Sequence, residues 1–510
     1  MKSIIVFFND ESSKYSNQKA FSGKSAKELT MIWAENLKND VFTVESKNLS
    51  QLLSDMKDLC TENSADYVIF TWNDLPFLNL ELTQQMMESH TKYKSEYTFA
   101  DGYPYGLSPE LIDAGTLSIL AQLSKTNQIT LGEKAVERDS IYNLIKTDIN
   151  SFEVEAEIAP EDWRLYRFAF HCGKKENFMQ CRALNEAVTE KNITDANELS
   201  SIAANTLGCL KTVPGYYNIQ IADKIHSNYI YLPYFSAYEE KNKLSPINAT
   251  KCMRYDDFSG LIEKIAEFSE KAVINLSAWG EPLTNPDCLK MIEKILSYEG
   301  LSVFVETDGL LVDEAFCTQL WKIVEAASPR TNGWQKVMFA VSFDSFSAKT
   351  YMQLHDGATE QDFNKAIQSV SLLQQVIPDA VYPQFVRINE NEAELEGFYR
   401  FWNEKNNPSA GNMIIQKYES FAGLLPERKP ADLSPLERNP CWHLRRDMNI
   451  LTNGDVTFCR CSVLSEVIGN IFENTLEEIW KKTDAELKEQ ISKKYNNKCG
   501  KCDESYTYNF

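Results

Sequence analysis

Cys441-Trp-His-Leu-Arg-Arg-Asp-Met-Asn-Ile-Leu-Thr-Asn-Gly-Asp-Val-Thr-Phe-Cys459-Arg-Cys461, with Cys499-Gly-Lys-Cys502 further on, places five of the chain's twelve cysteines in its last seventy residues. Cys459 and Cys461 form a C-x-C pair, and Cys499 and Cys502 a C-x-x-C pair. Such spacings let neighbouring thiolates face one metal or cluster without straining the backbone. The residues between them read as folded scaffold. Met448–Thr452 and Asp455–Phe458 have strand character around Asn453-Gly454, which predicts a type I′ hairpin presenting Cys459 at a strand end. Thr475-x-x-Glu478 predicts a capping box that opens a helix through Ile479 and Trp480. Three uses of these thiols compete. Disulfides need an oxidising compartment, and no secretory segment directs the chain to one. A structural zinc site and an iron–sulfur cluster both suit four or five thiolates, and spacing alone leaves both open.

Working outward, the 510 residues suffice for about three domains. A composition of 43% hydrophobic and 12% aromatic residues supports sizeable cores. The net charge of −21 argues against nucleic acid and anionic membrane as partners, because a polyanion would be repelled. The apolar run Met1–Phe8 is too short for a signal peptide and is broken at once by Asn9-Asp10. No stretch reaches the roughly 20 apolar residues that span a bilayer. The expectation is a soluble, cytoplasmic protein without membrane insertion, whose partner is a protein or a small molecule.

The first two hundred residues alternate strand and helix: Ile4–Phe8, Ala26–Leu37, Val41–Val44, a helix around Leu52–Cys60, and Tyr67–Thr71. That alternation predicts a doubly wound α/β sheet, whose ligands gather at the carboxyl ends of the strands. Asp74, just past the third strand, is the candidate there.

After Val213-Pro-Gly215 the pattern becomes repeated strand–helix units. The strands are expected at Tyr217–Ile221, Ala272–Leu276, Ser302–Val305, Val337–Ser342, Tyr382–Arg387 and Met413–Gln416, with helices such as Phe258–Lys271 and Glu360–Gln374 between them. About six such units suit an open parallel barrel, with chemistry at the mouth formed by the loops that follow the strands.

Three resemblances give these parts family names. The run from Cys441 through Leu451–Cys459, Ile468–Ile471 and Leu476–Trp480 to Cys499-x-x-Cys502 resembles the SPASM domain, which carries auxiliary [4Fe–4S] clusters in many radical S-adenosylmethionine (SAM) enzymes. The resemblance implies one [4Fe–4S] cluster on Cys441, Cys459, Cys499 and Cys502, with Cys461 as a substitute ligand. In the barrel, Ser277-Ala-Trp-Gly-Glu-Pro282 resembles the radical-SAM loop that receives the cofactor's amino group, which implies Gly280, Glu281 and Pro282 as a SAM-type loop. Val305-Glu-Thr-Asp-Gly309, Val341-Ser-Phe-Asp-Ser345, and Gln384–Arg387 with Asn391-Glu-x-Glu394 resemble further loops of that family, in family order. Its C-x-x-x-C-x-x-C after the first strand is absent here. Ile225, Tyr229 and Leu232 stand at those positions in one register, and His226, Ile230 and Pro233 in the next. At the N-terminus, Asp66–Glu81 and Tyr103-Pro-Tyr-Gly106 resemble sugar cytidylyltransferases. That likeness implies that Asp74 holds magnesium and nucleotide phosphates. The family's glycine-rich, arginine-bearing loop is missing, however, and His171-Cys172 replaces its second carboxylate.

The whole resembles the spiro-SPASM family. The implied organisation is a doubly wound nucleotidyltransferase-like domain (1–208), a partial (β/α)6 radical-SAM-like barrel (209–428) and a SPASM domain (429–510). The expected function is that of a degenerate radical-SAM/SPASM protein with one auxiliary cluster, in electron transfer, sensing or scaffolding, set in surface-glycan or sugar-nucleotide metabolism. The alternatives are an active radical-SAM or sugar-nucleotide enzyme and a zinc-stapled scaffold.

Overall fold

The computed structural model describes residues 1–10, 13–125, 130–189, 193–431 and 437–503. The chain folds as two compact units, Met1–Thr212 and Val213–Phe510.

The first unit is built on β1 (Ser3–Phe8), β2 (Asp40–Val44), β3 (Tyr67–Trp72), β4 (Tyr97–Asp101), β5 (Glu110–Asp113) and β6 (Val154–Ile158). These form one six-stranded sheet in the order β2-β1-β3-β5-β4-β6. Every pairing is parallel except the two made by β5, which runs against both β3 and β4. β1 and β3 are buried along their whole length, which explains why they read as continuous apolar runs rather than alternating ones. The helix Ala26–Leu37 has the predicted bounds because Ser25 and Glu28 close a capping box at its start and Lys38 ends it in the left-handed region.

The second unit contains β7 (Tyr216–Ile219), β8 (Asn228–Tyr229), β9 (Ala272–Asn275), β10 (Leu301–Thr307), β11 (Val337–Ser342), β12 (His355–Asp356), β13 (Val381–Arg387), β14 (Ile414–Lys417), β15 (Asp447–Ile450), β16 (Asp455–Thr457) and β17 (Val467–Asn470). Nine of them make one sheet, β14-β13-β11-β10-β9-β7-β15-β16-β17. From β7 to β14 each barrel strand pairs in parallel with the next, the order of an open (β/α)6 barrel. All six expected strands are present.

The tail continues this sheet. β15 pairs in parallel with β7, Asp447 opposite Tyr216 and Ile450 opposite Ile219, and β16 and β17 add an antiparallel meander. The core continues with it: Met448, Ile450, Val456, Ile479 and Trp480 belong to the same apolar cluster as Ile219, Ile274, Val303 and Phe339 of the barrel.

One local expectation is corrected. The hairpin forms around Asn453-Gly454, but not as a type I′ turn. That turn needs positive φ at both central residues, and of these two only Gly454 has it, at +83°. The turn closes instead through Gly454 N to Leu451 O (2.9 Å), with Leu451 N bonded to Asp455 O (2.8 Å). A Cβ on Gly454 would also lie 2.4 Å from the Phe472 ring. The Thr475–Glu478 capping box forms as expected. Among the described residues no helix is long and apolar enough to cross a membrane.

Candidate functional site

The cysteine-rich tail brings all five of its thiols to one pocket. β16 ends two residues before Cys459, the turn Arg460–Ser462 carries Cys461, and the turn Cys499–Lys501 spaces Cys499 from Cys502. Cys441, Cys459, Cys461, Cys499 and Cys502 line the pocket together with His443, Arg460 and Lys498. Cys441 N donates to Gln490 Oε1 (2.9 Å) and Cys499 N to Asn496 Oδ1 (2.8 Å), so side-chain amides fix the backbone at both ends of the ligand set. None of the twelve cysteines is in a disulfide.

The thiols are not equivalent. Hydrogen bonding from Cys461, then Ser462 and the charge of Lys498, pull the Cys459 thiol down, whereas burial and the neighbouring thiols push Cys441 well up. Burial, with Glu486 nearby, raises Cys499 to about 12. Cys461, expected only as a substitute, lies deepest in the cluster at 4% exposure. Its Sγ is 3.6 Å from Cys502 Sγ and 2.7 Å from Glu419 Oε1. Glu419 was invisible to the sequence reading, being 42 residues from Cys461 and in no motif.

At the barrel mouth, the loop after β9 and the loop after β7 lock together. A Cβ on Gly280 would fall 1.8 Å from Ala222 O, so the close approach that its missing Cβ permits is made by the chain itself. Glu281 N donates to Lys224 O (2.7 Å). The Glu281 carboxylate is 5% exposed. Its Oε1 accepts from Thr307 Oγ1 (2.9 Å) and Leu283 N (3.1 Å), and its Oε2 from Asp308 N (2.9 Å). Burial, and then the charge of Asp308, push its carboxyl well up. Pro282 opens a short turn behind it. Glu281 therefore ties the second and third strand–loop corners together.

The positions where radical-SAM cysteines would stand are packed. Ile225 is buried in a cluster with Tyr234, Tyr238, Trp279, Phe421, Leu451 and Val463, and Leu232 packs on its edge. The Tyr229 ring meets the His355 ring at 4.5 Å and stacks on Tyr231 at 5.6 Å. His226 Nδ1 lies 2.6 Å from Asp308 Oδ2, and that bond raises its pKa. A buried network sits beside them, built on the motif residue Asp344 with two partners, Tyr231 and His355, that the sequence did not single out. Asp344, at φ +57° just past β11, accepts from Tyr231 Oη (2.5 Å) and Val386 N (2.6 Å), with His355 Nε2 at 3.2 Å. The Asn391 and Glu394 motif residues brace this corner: Asn391 Nδ2 donates to Asp344 O (2.7 Å), and Glu394 accepts from Phe346 N, Ser347 and Thr350.

In the first unit, Asp74 sits just past β3 as expected, but it is 1% exposed and ion-paired. Arg138 donates to Asp74 Oδ1 (3.0 Å) and Oδ2 (2.7 Å), and its guanidinium lies 4.3 Å from the Trp72 ring centroid and 5.6 Å from that of Tyr105. Both oxygens through which Asp74 would hold magnesium are thus engaged by a cation of the chain itself.

Known proteins match several parts of the chain. The iron–sulfur cluster-binding domain SPASM matches residues 441–503. An uncharacterized protein of Treponema pallidum is 38% identical over 377 residues, 72% of this chain and 98% of the Treponema protein. The spore coat polysaccharide biosynthesis protein SpsF of Bacillus subtilis is 24% identical over 135 residues, 26% of this chain and 53% of SpsF. Among solved structures, SuiB of Streptococcus suis bound to S-adenosylmethionine has 12% identity over 63% of this chain and 82% of its own, with a TM-score of 0.41. The chain belongs to the family of the Treponema protein, with a SPASM iron–sulfur cluster-binding domain over residues 441–503.

Proposed function

We propose that this is a degenerate radical-SAM/SPASM protein that keeps one auxiliary [4Fe–4S] cluster, does not cleave S-adenosylmethionine, and serves as an electron-transfer or sensing component. The observation that carries the reading is the packing at the barrel mouth. Ile225, Tyr229 and Leu232 offer no thiolate, and the first and last are built into apolar clusters. Without three thiolates no cluster can bind there to deliver an electron to the sulfonium. Glu281, which would receive the cofactor's ammonium, is instead buried at 5% exposure and bonded to Thr307 and two backbone amides of the chain itself.

The tail fits its group. Cys441, Cys459, Cys499 and Cys502 converge in one pocket and would hold the cluster as the four-thiolate set such clusters need. When bound, it supplies reversible one-electron transfer. The chain's part is to hold the thiolates and set their surroundings: Lys498 and Arg460 line the pocket with positive charge, and Arg438 donates to the Cys499 carbonyl. The partner would be a protein or small molecule that gives or takes one electron. Glycan or sugar-nucleotide metabolism is the proposed setting, supported by the likeness of part of the chain to a polysaccharide biosynthesis protein. The Asp74–Arg138 pair favours a binding or scaffolding role for the first unit over nucleotidyl transfer.

Iron, sulfide and zinc content after anaerobic purification tests this. About four irons and four sulfides per chain are expected, lost in Cys441→Ala/Cys499→Ala, together with no 5′-deoxyadenosine from the reduced protein and S-adenosylmethionine. About eight irons, or 5′-deoxyadenosine release, would refute the inactive barrel. Zinc without sulfide would refute the cluster.

A further inference from the structure

Cys461, Cys502 and Glu419 carry an observation that a four-thiolate cluster does not use. One ligand atom from each lies within 4.8 Å of the other two, and all three residues are buried. The Cys461–Cys502 separation is 3.6 Å. Two thiolates on one tetrahedral ion with bonds of about 2.3 Å stand about 3.7 Å apart. Thiolates on a cubane bind different irons and splay outward from it. The inner pair therefore has the spacing of ligands to a single ion. The third donor is a carboxylate, common around zinc and foreign to an all-cysteine cluster.

The position of Glu419 is built. It follows β14 and is 6% exposed. The residue after Cys502, Asp503, clips its segment in place. Lys417 Nζ donates to Asp503 O (2.6 Å), Ser420 Oγ to Asp503 Oδ2 (3.0 Å) and Lys429 Nζ to Asp503 Oδ1 (2.7 Å). These bonds hold the chain on both sides of Glu419 against the turn that carries Cys502. The Cys461 thiol donates to Glu419 Oε1, and a bound cation would displace that proton.

We infer that Glu419, Cys461 and Cys502 form a mononuclear site for a thiophilic divalent cation of the zinc class, with three protein ligands and a fourth position open. Three ligands plus one open position is the pattern of zinc sites that bind water or substrate rather than merely staple the fold. Cys502 is shared with the four-thiolate set, so the zinc-class ion and the cluster exclude each other, and the tail holds one or the other. The site rests on the inner donors alone and does not depend on the cluster.

The test uses the full chain, stripped of metal anaerobically under reducing conditions, with cobalt(II) as probe and zinc as competitor. One equivalent of cobalt should bind, with a charge-transfer band of two-thiolate intensity that zinc abolishes. Cys461→Ser and the isosteric Glu419→Gln should each weaken binding at least about tenfold, Cys461→Ser also halving the band, while Cys441→Ser/Cys499→Ser leaves affinity within about twofold. Circular dichroism checks each variant's fold, and Glu419→Gln keeps the test decisive should Cys461→Ser misfold. The inference is overturned if the wild type binds no cobalt, if the band has four-thiolate intensity, or if the Cys441/Cys499 variant loses the metal while Glu419→Gln keeps it. Iron and sulfide uptake by Cys461→Ser judges the cluster separately: retention is expected, because Cys461 belongs to the inner set alone.

Discussion

Arg138→Met should destabilise the first unit strongly, and the size of the effect follows from what is left behind. The substitution keeps an apolar stem of similar length against the Trp72 and Tyr105 rings but removes both hydrogen bonds to Asp74, at 2.7 and 3.0 Å. Asp74 is 1% exposed, so water cannot replace them, and the 20% exposure of Arg138 leaves little solvent screening of the pair. Removing one partner of a buried ion pair costs about 3–5 kcal/mol, most of it the penalty of an uncompensated buried charge. For a unit of 212 residues, at about 2–4 °C per kcal/mol, that is a fall in Tm of about 6–20 °C. Differential scanning calorimetry of the full chain would read it in the first unit's transition. Asp74→Leu/Arg138→Met should recover most of the loss, because removing both charges removes the penalty. In the wild type, magnesium with CTP should leave this transition where it is, since a ligand raises Tm only by binding the native state. A single variant melting within about 1 °C of wild type, or a rise in Tm with magnesium and CTP, would refute the structural role assigned to the pair.

Two further outcomes are expected in the second unit. Asp447 is buried, yet against that burial Arg446 and His443 hold its carboxyl down to about 2. The unfolded value is about 3.9, so the pair contributes about 2–3 kcal/mol above pH 4 that is lost as pH falls from about 4 to 2, and the acid unfolding of Asp447→Asn should lack that component. Tyr231→Phe removes the short bond to Asp344 Oδ2 inside the barrel and should cost about 1–3 kcal/mol by urea titration. A change within error would mean that His355 alone satisfies that oxygen.

How much of this could be read from the sequence depended on sequence distance. The six barrel strands could be, because each is a local apolar run followed by a helical period, and the chain visits them in spatial order. The convergence of Cys441, Cys459, Cys499 and Cys502 rested on paired spacings joined by a recognisable domain. The pairing of β15 with β7 could not be read: it joins residues 231 apart, such as Asp447 and Tyr216, and no local pattern encodes a parallel partner at that range. Arg138 and Glu419 were missed for the same reason. Each is a single charged residue 64 or 42 positions from its partner, and in sequence it looks like any solvated charge. The hairpin error had a different cause. Asn-Gly favours type I′, but Gly454 alone takes the positive φ, with Phe472 packed where its Cβ would be.

The last prediction concerns whether the barrel mouth lost only its cysteines. Were that so, Ile225→Cys/Tyr229→Cys/Leu232→Cys would restore a cluster and with it the radical reaction. The surroundings argue otherwise. Ile225 fills a cluster that also contains Leu451 and Val463 from the tail, and Tyr229 covers His355, whose Nε2 lies 3.2 Å from Asp344. Truncating a buried aliphatic or aromatic side chain costs about 2–5 kcal/mol, so the triple variant should unfold at markedly lower urea concentration. Glu281 would stay buried and bonded to Thr307, Leu283 and Asp308 rather than presented to an ammonium. The variant, reconstituted with iron and sulfide, should hold about four irons, the number expected of the wild type, and release no 5′-deoxyadenosine. Uptake of about eight irons with cofactor cleavage would mean that the packing at the mouth yields easily and that the barrel is three residues from activity. The expected result would mean that the packing, and not the missing thiols alone, makes the barrel a scaffold for the metal-binding tail.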